Sequence, residues 1–291
     1  MDRHSEWLQW LFFLDRPYIV DMLCSSVMWF TSRYISTLAP FERDFDHKDP
    51  LIDHKHRPNT IGGELNLTLV LFLPLGLTVA VALIRRSLME VYHSFLGIIS
   101  ASALTNLMTE FLKNRVGRLR PDFLARCKWD KELKACTGKL DSILEGRRSF
   151  PSGHSSMAFC GMTFLSLWIA MATGAWRITE TVPGGAFHRS KLVRLVLSLV
   201  PLAFATWVAV SRLEDYRHHK EDVIVGSLIG IVCATICYHL YWPSPFSAQP
   251  YGPRVLYGPN LSEQHGGLPV TDNAYGYELA GLSNEHAEQS V

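Results

Sequence analysis

Polar and apolar residues fall along this chain in long blocks, not at the short periods of a soluble fold. Predominantly apolar runs of roughly 18 to 22 residues occupy 65–84, 91–112, 155–173, 192–210 and 223–242. A weaker run, broken by Asp21 and Arg33, occupies 17–38. A helix of about 20 apolar residues crosses a hydrocarbon core. The pattern therefore predicts an all-α polytopic membrane protein with six transmembrane helices, its membrane domain covering 17–242. Residues 1–16, with aromatics and acids around EWLQWLFFL, read as an interfacial helix on the membrane surface. Residues 243–291, rich in Pro, Gly and Tyr with a repeated YGP, read as a disordered tail. The apolar stretch 7–14 is short and runs into Asp15 and Arg16, so no cleavable signal peptide is expected.

Composition sharpens this reading at a few points. The chain is 48% hydrophobic and 19% charged, with the charges clustered between the runs. A net charge of +1 gives no electrostatic case for nucleic acid. Four of the six cysteines, Cys24, Cys160, Cys233 and Cys237, sit inside apolar runs, where a thiol behaves as a small hydrophobe. Cys127 and Cys136 share a polar loop and can either pair, if that loop faces an oxidising compartment, or remain two thiols. The loop 39–64 is dense in charge, proline and histidine, and reads as a solvated connection. His47, His54 and His56 have no spacing that would place them on one helical face, so no metal site is expected. Gly226 and Gly230 offer a small-xxx-small face for tight helix packing. His93 and His239 read as packing or interfacial residues.

Candidate chemistry lies in three clusters. The sequence 211–222, SRLEDYRHHKED, offers Arg212, His218 and Asp222. On a helix, residues four apart share a face, so the Asp222 carboxylate is expected to hold one ring nitrogen of His218 and free the other. The stretch LKNRVGRLRPDFLARC gathers Lys113, Arg115, Arg118, Arg120 and Arg126 where a run leaves the membrane. The third, SFPSGHSSMAF, opens the run 155–173. There Gly153 permits close backbone approach, and the first amides of a helix bind anions. Ser152 adds a hydroxyl or an N-cap, and His154 a titratable group. Since each span reverses sides, the three clusters are expected on one face of the bilayer, each at a helix mouth.

In order, these clusters give K-x6-RP (Lys113, Arg120, Pro121), PSGH (151–154) and SR-x5-H-x3-D (Ser211, Arg212, His218, Asp222). The series closely resembles the three-part pattern of the type 2 phosphatidic acid phosphatases, whose site is shared with vanadium haloperoxidases and bacterial acid phosphatases. The segment FERDFDHKDPLID is also similar to the loop between the first two spans of lipid phosphate phosphatases and diacylglycerol pyrophosphate phosphatases. The resemblance implies a phosphatase-type helical core and assigns roles. His218 is the implied nucleophile, Asp222 its orienting partner, and His154 the acid and later the base. Lys113, Arg120 and Arg212, with Ser152 and the Gly153 amide, would bind phosphate. It implies His218 rather than His219 as nucleophile, and surface or headgroup contacts for Arg115, Arg118 and Arg126. No cofactor is expected, because three cations and a helix N-terminus supply the charge that a two-metal site would otherwise bring.

The expected partner is a phospholipid within the bilayer, with phosphatidate, lysophosphatidate or diacylglycerol pyrophosphate as substrate. Sphingoid-base or polyprenyl phosphates are the alternative substrates, and a non-catalytic lipid-binding or scaffold relative is the alternative of another class. Arg85, Arg86, Arg177, Arg189, Lys191 and Arg194 cluster in the links of the opposite face and favour a cytoplasmic location for it. The site would then be lumenal or extracellular and both termini cytoplasmic, in an endomembrane, vacuolar or plasma membrane.

Overall fold

A computed structural model of the chain describes residues 16–177, 185–247 and 251–254. The expected interfacial segment, the centre of the loop after the fourth run and most of the expected tail lie outside the described residues. Six long helices are described: α1 (Arg16–Thr37), α2 (Gly63–Ile84), α3 (Leu88–Val116), α6 (Gly153–Thr173), α8 (Lys191–Glu214) and α9 (Lys220–Tyr241). Between α3 and α6 lie α4 (Phe123–Cys127), a two-residue hairpin of β1 (Trp129–Asp130) with β2 (Ala135–Cys136), and α5 (Leu140–Gly146). A short α7 (Ala186–Arg189) precedes α8.

Five of these helices, α2, α3, α6, α8 and α9, are long and apolar enough to cross a membrane. The expected sixth span, α1, has the length, 22 residues, but does not reach the same apolar composition. Asp21 and Arg33, the charges inside it, have polar surroundings. Asp21 accepts a hydrogen bond from Tyr241 Oη at 3.1 Å, and Arg33 lines a polar cavity between α1 and α3. The chain is a polytopic helical membrane protein.

Lipid is as apolar as leucine, so helices in a bilayer associate through close packing rather than through the hydrophobic effect. The sequence of α9 follows that logic. Ile224, Leu228, Val232, Ile236 and Leu240 form an outward stripe at four-residue spacing. Gly226, Gly230, Cys233, Ala234 and Cys237 face inward. A Cβ at Gly226 would stand 2.6 Å from the Ser152 carbonyl oxygen, and one at Gly230 2.2 Å from that of Ser156. The expected small-residue face is therefore where α9 meets the start of α6. The α6 helix is the centre of the bundle, buried almost continuously from Ser155 to Met171. Its far end is closed by Arg194, whose guanidinium donates to the carbonyls of Thr173 and Gly174.

The loop 39–62 is not a freely solvated connection. Phe45 and Ile52 pack against Leu119, Phe123, Leu124 and Cys127 in a small core outside the bundle. Cys127 and Cys136 are joined by a disulfide within that core. The loop passes so close to the end of α3 that a Cβ at Gly117 (φ 58°) would meet the Phe41 carbonyl oxygen at 1.9 Å. Part of the stretch expected to be disordered also packs: Tyr251 donates to Glu90 at 3.0 Å and lies beneath Arg85.

Candidate active site

The three motifs meet at one end of the bundle, where α3 and α8 finish and α6 and α9 begin. The Ser152 amide donates to the Asp222 carbonyl at 2.9 Å, tying the second motif to the third. A cavity of about 260 Å³ opens there, and Arg120, His154, Arg212 and His218 line it. Arg126, Arg217, Glu145 and Asn59 complete its wall. The site thus gathers four guanidinium groups around two imidazoles.

His218 is 4% exposed and stands in the turn before α9, two residues short of its first helical residue. Helical stacking on Asp222 therefore does not apply. The Nδ1 atom lies 2.7 Å from the Ser149 carbonyl oxygen and 3.8 Å from Asp222 Oδ2. A carbonyl only accepts, so Nδ1 carries the proton and Nε2 keeps its lone pair. The expected direct His218–Asp222 hydrogen bond is corrected to a carbonyl contact with the carboxylate one step behind. Burial, as the largest influence, pulls the His218 pKa down to about 4; Asp222 opposes this and Arg120 adds to it. The ring is neutral at pH 7.

Asp222 is fully buried and busy on both oxygens. The Oδ2 atom accepts from the Ser149 hydroxyl at 2.5 Å and from the His219 amide at 3.0 Å, while Oδ1 accepts from Arg118 at 2.8 Å. Asp222 and Ser149 thus lock together, and Ser149 in turn presents its carbonyl to His218. His219 keeps its Nδ1 3.4 Å from Asp222 Oδ2, but its Nε2 points to the loop, 3.3 Å from the Leu51 carbonyl.

The second motif starts α6. The Ser152 hydroxyl is fully buried and caps the helix, accepting from the Ser155 amide at 3.4 Å and lying 3.0 Å from the Ser155 hydroxyl. Gly153 gives Lys113 its place: a Cβ there would lie 2.9 Å from Lys113 Nζ. Lys113 pairs with Glu110 at 2.6 Å and lines a neighbouring cavity, not the one holding His218. His154 Nε2 is buried without a hydrogen-bond partner among the described residues, as are Arg120 Nε and Arg217 Nε. Three buried polar nitrogens without partners on the walls of one cavity mark a place for a ligand.

Each arginine except Arg120 is anchored from behind. Arg212 donates to Asp215 at 2.9 Å, and Asp215 accepts in turn from the Thr60 amide at 2.8 Å and its hydroxyl at 2.7 Å. Arg126 donates to Asp122 at 2.9 Å, and Arg217 lies 3.6 Å from the same buried carboxylate. His56 Nδ1 is 2.7 Å from Asp122 as well. Burial works to raise the Asp122 pKa, but Arg126, His56 and Arg120 outweigh it and hold the group below its ordinary value. Arg118 and Arg126, expected as headgroup or surface contacts, instead hold Asp222 and line the cavity, respectively, and Arg217, Ser149, Asp122 and Glu145 were not anticipated. The density of arginine in LKNRVGRLRPDFLARC was the one available signal; the others depend on loops folding back.

The chain is thus a helical membrane bundle with a cavity lined by arginine and histidine at one end. A family model described as the PAP2 superfamily matches residues 94–245, over half of the chain and all three motifs. The chain belongs to the PAP2 superfamily. It is similar to lipid phosphate phosphatase 1 of Arabidopsis thaliana, at 34% identity over 86% of this chain and 75% of the relative. Diacylglycerol pyrophosphate phosphatase 1 of Saccharomyces cerevisiae is 34% identical over 74% of this chain and 76% of its own length. For phospholipid phosphatase 2 of Mus musculus the values are 31%, 79% and 86%. No solved structure matches the chain.

Proposed function

We propose that this protein is a lipid phosphate phosphatase that hydrolyses phosphatidate, lysophosphatidate or diacylglycerol pyrophosphate through a phosphohistidine, without Mg²⁺. One observation carries the reading: His218 presents a neutral Nε2 to a cavity ringed by four arginines. The Nε2 lone pair attacks phosphorus in line as the bond to the ester oxygen breaks. His154 gives its proton to the leaving oxygen, an alkoxide for a monoester and a phosphate oxygen for the pyrophosphate, then takes one from the water that cleaves the P–N bond. Arg120, Arg212 and the amides at the start of α6 neutralise the equatorial oxygens, with Lys113 adding charge from beside Gly153. Four guanidinium groups against the single carboxylate of Glu145 disfavour a divalent cation and do its electrostatic work.

The names of the relatives support a lipid substrate, and a site at the ends of membrane helices lets a headgroup enter while acyl chains stay in the bilayer. A disulfide at the site end of the bundle supports a lumenal or extracellular active site. The basic links at the other end, with the start of α1 and the end of α9, then face the cytoplasm. The test is phosphate release from phosphatidate in mixed micelles with excess EDTA. Release by the wild type and none by His218→Ala is expected; loss of wild-type release in EDTA contradicts the metal-free reading.

A further inference from the structure

Arg120 differs from the other arginines of the cavity in where its counter-charge sits. Arg212 and Arg126 are held by Asp215 and Asp122, carboxylates behind the cavity wall. Arg120 donates to Glu145 Oε1, and Glu145 lines the cavity itself. Glu145 stands on the last turn of α5, and its side chain is half exposed. The backbone around it is fixed, since the Arg120 amide donates to the Gly146 carbonyl at 2.8 Å, and a Cβ at Gly146 would lie 2.9 Å from the Phe123 ring. Glu145 also lines the neighbouring cavity, with Lys113, Arg33 and Arg148.

A guanidinium that is nearly buried requires a partner when no ligand is present. If the cavity binds phosphate, as proposed above, an equatorial oxygen needs the NH groups of Arg120. The Glu145 carboxylate already holds one of them from inside the same cavity. We propose that Glu145 is a positioning residue that acts as an internal competitor: it holds Arg120 in the empty site, yields it to phosphate, and takes it back as inorganic phosphate leaves. Burial works to raise the Glu145 pKa, but Arg120, Lys113, Arg126 and Arg148 prevail, so it stays ionised and able to compete. Its consequence is weaker retention of every phosphate-bearing ligand, product included, which favours turnover over tight binding.

The test measures binding of inorganic phosphate and orthovanadate to the full-length protein in detergent, with wild type and Glu145→Gln, alongside KM and kcat for phosphatidate. Removing the charge that competes for Arg120 is expected to tighten both anions about tenfold. KM for phosphatidate should fall in step, and kcat should not rise. A purely structural role for Glu145 predicts unchanged or weaker anion binding in the variant, and that result overturns the inference while leaving the phosphatase reading intact. Wild type that binds neither anion and releases no phosphate overturns both. Should Glu145→Gln not fold, Glu145→Asp withdraws the carboxylate from Arg120 by one methylene. Tighter anion binding by that variant supports the competitor, and unaltered binding refutes it.

Discussion

Arg118 grips Asp222 from the far side of the site, its Nη1 2.8 Å from Oδ1 across 104 residues of sequence. Its Nη2 reaches Glu221 at 3.1 Å. The remaining oxygen of Asp222 holds Ser149 and His219. Through this one carboxylate the loop after α3, the approach to α6 and the start of α9 are locked together, and the Ser149 carbonyl is aimed at His218.

Arg118→Ala should therefore injure catalysis without touching substrate. Losing a partly exposed partner of a buried carboxylate is expected to cost about 1–2 kcal/mol, below the value for a wholly buried pair. A drop in kcat of about tenfold with little change in KM should accompany it. Thermal unfolding and steady-state kinetics in the same detergent check both. A normal kcat would separate Arg118 from the site.

Asp222→Asn tests how the His218 tautomer is fixed. In a triad where the carboxylate alone holds the ring, the corresponding change costs about 10⁴-fold. Here a backbone carbonyl fixes the ring, so a loss nearer 10²-fold is expected. A loss of 10⁴ in kcat would mean that the 3.8 Å contact with Asp222, not Ser149, governs the ring.

The His218 pKa of about 4 against about 6.5 for a free imidazole sets a pH window. Above pH 6.5 the ring is neutral in folded and unfolded chains alike, and it neither adds nor removes stability. Between 6.5 and 4 the unfolded chain takes up the proton and the folded one does not, so stability falls with pH through this window. Histidine NMR titration of wild type beside His218→Asn should reveal one resonance, absent from the variant, titrating near 4. A midpoint near 6.5 would contradict the buried, neutral ring.

Gly226→Ala places a methyl group 2.6 Å from the Ser152 carbonyl, backbone that cannot swing aside. It should push the start of α6 off α9, cost about 1–3 kcal/mol and abolish most phosphate release. Gly76→Ala, in α2, meets nothing within 4 Å and should be neutral or slightly stabilising. Thermal unfolding of the pair separates packing from helix propensity; equal effects would remove the close approach as the reason for Gly226.

Much of the bundle was legible because a membrane helix writes its length directly into its apolar run. The three motifs were legible for a related reason: each lies in one short stretch at a helix mouth, and alternation of sides puts those mouths together. What escaped has long range in common. Asp122 meets His56 across 66 residues, and Asp215 meets Thr60 across 155. Loop 39–62 reads as polar filler because only Phe45 and Ile52 anchor its core contact, and its value lies in whom it touches. The His218–Asp222 geometry was misjudged because four-residue spacing means stacking only inside a helix, and α9 starts two residues too late.

The most direct test of the account is to trap the covalent enzyme. Full-length protein mixed with phosphatidate labelled at phosphorus, then quenched in base, should carry label on His218, identified by peptide mapping. His154→Ala, slowed in delivering water to the P–N bond, should accumulate more labelled protein relative to its own turnover, and His218→Ala none. Robust phosphate release with no labelled histidine in either active protein, or label on another residue, would contradict the nucleophile assigned here.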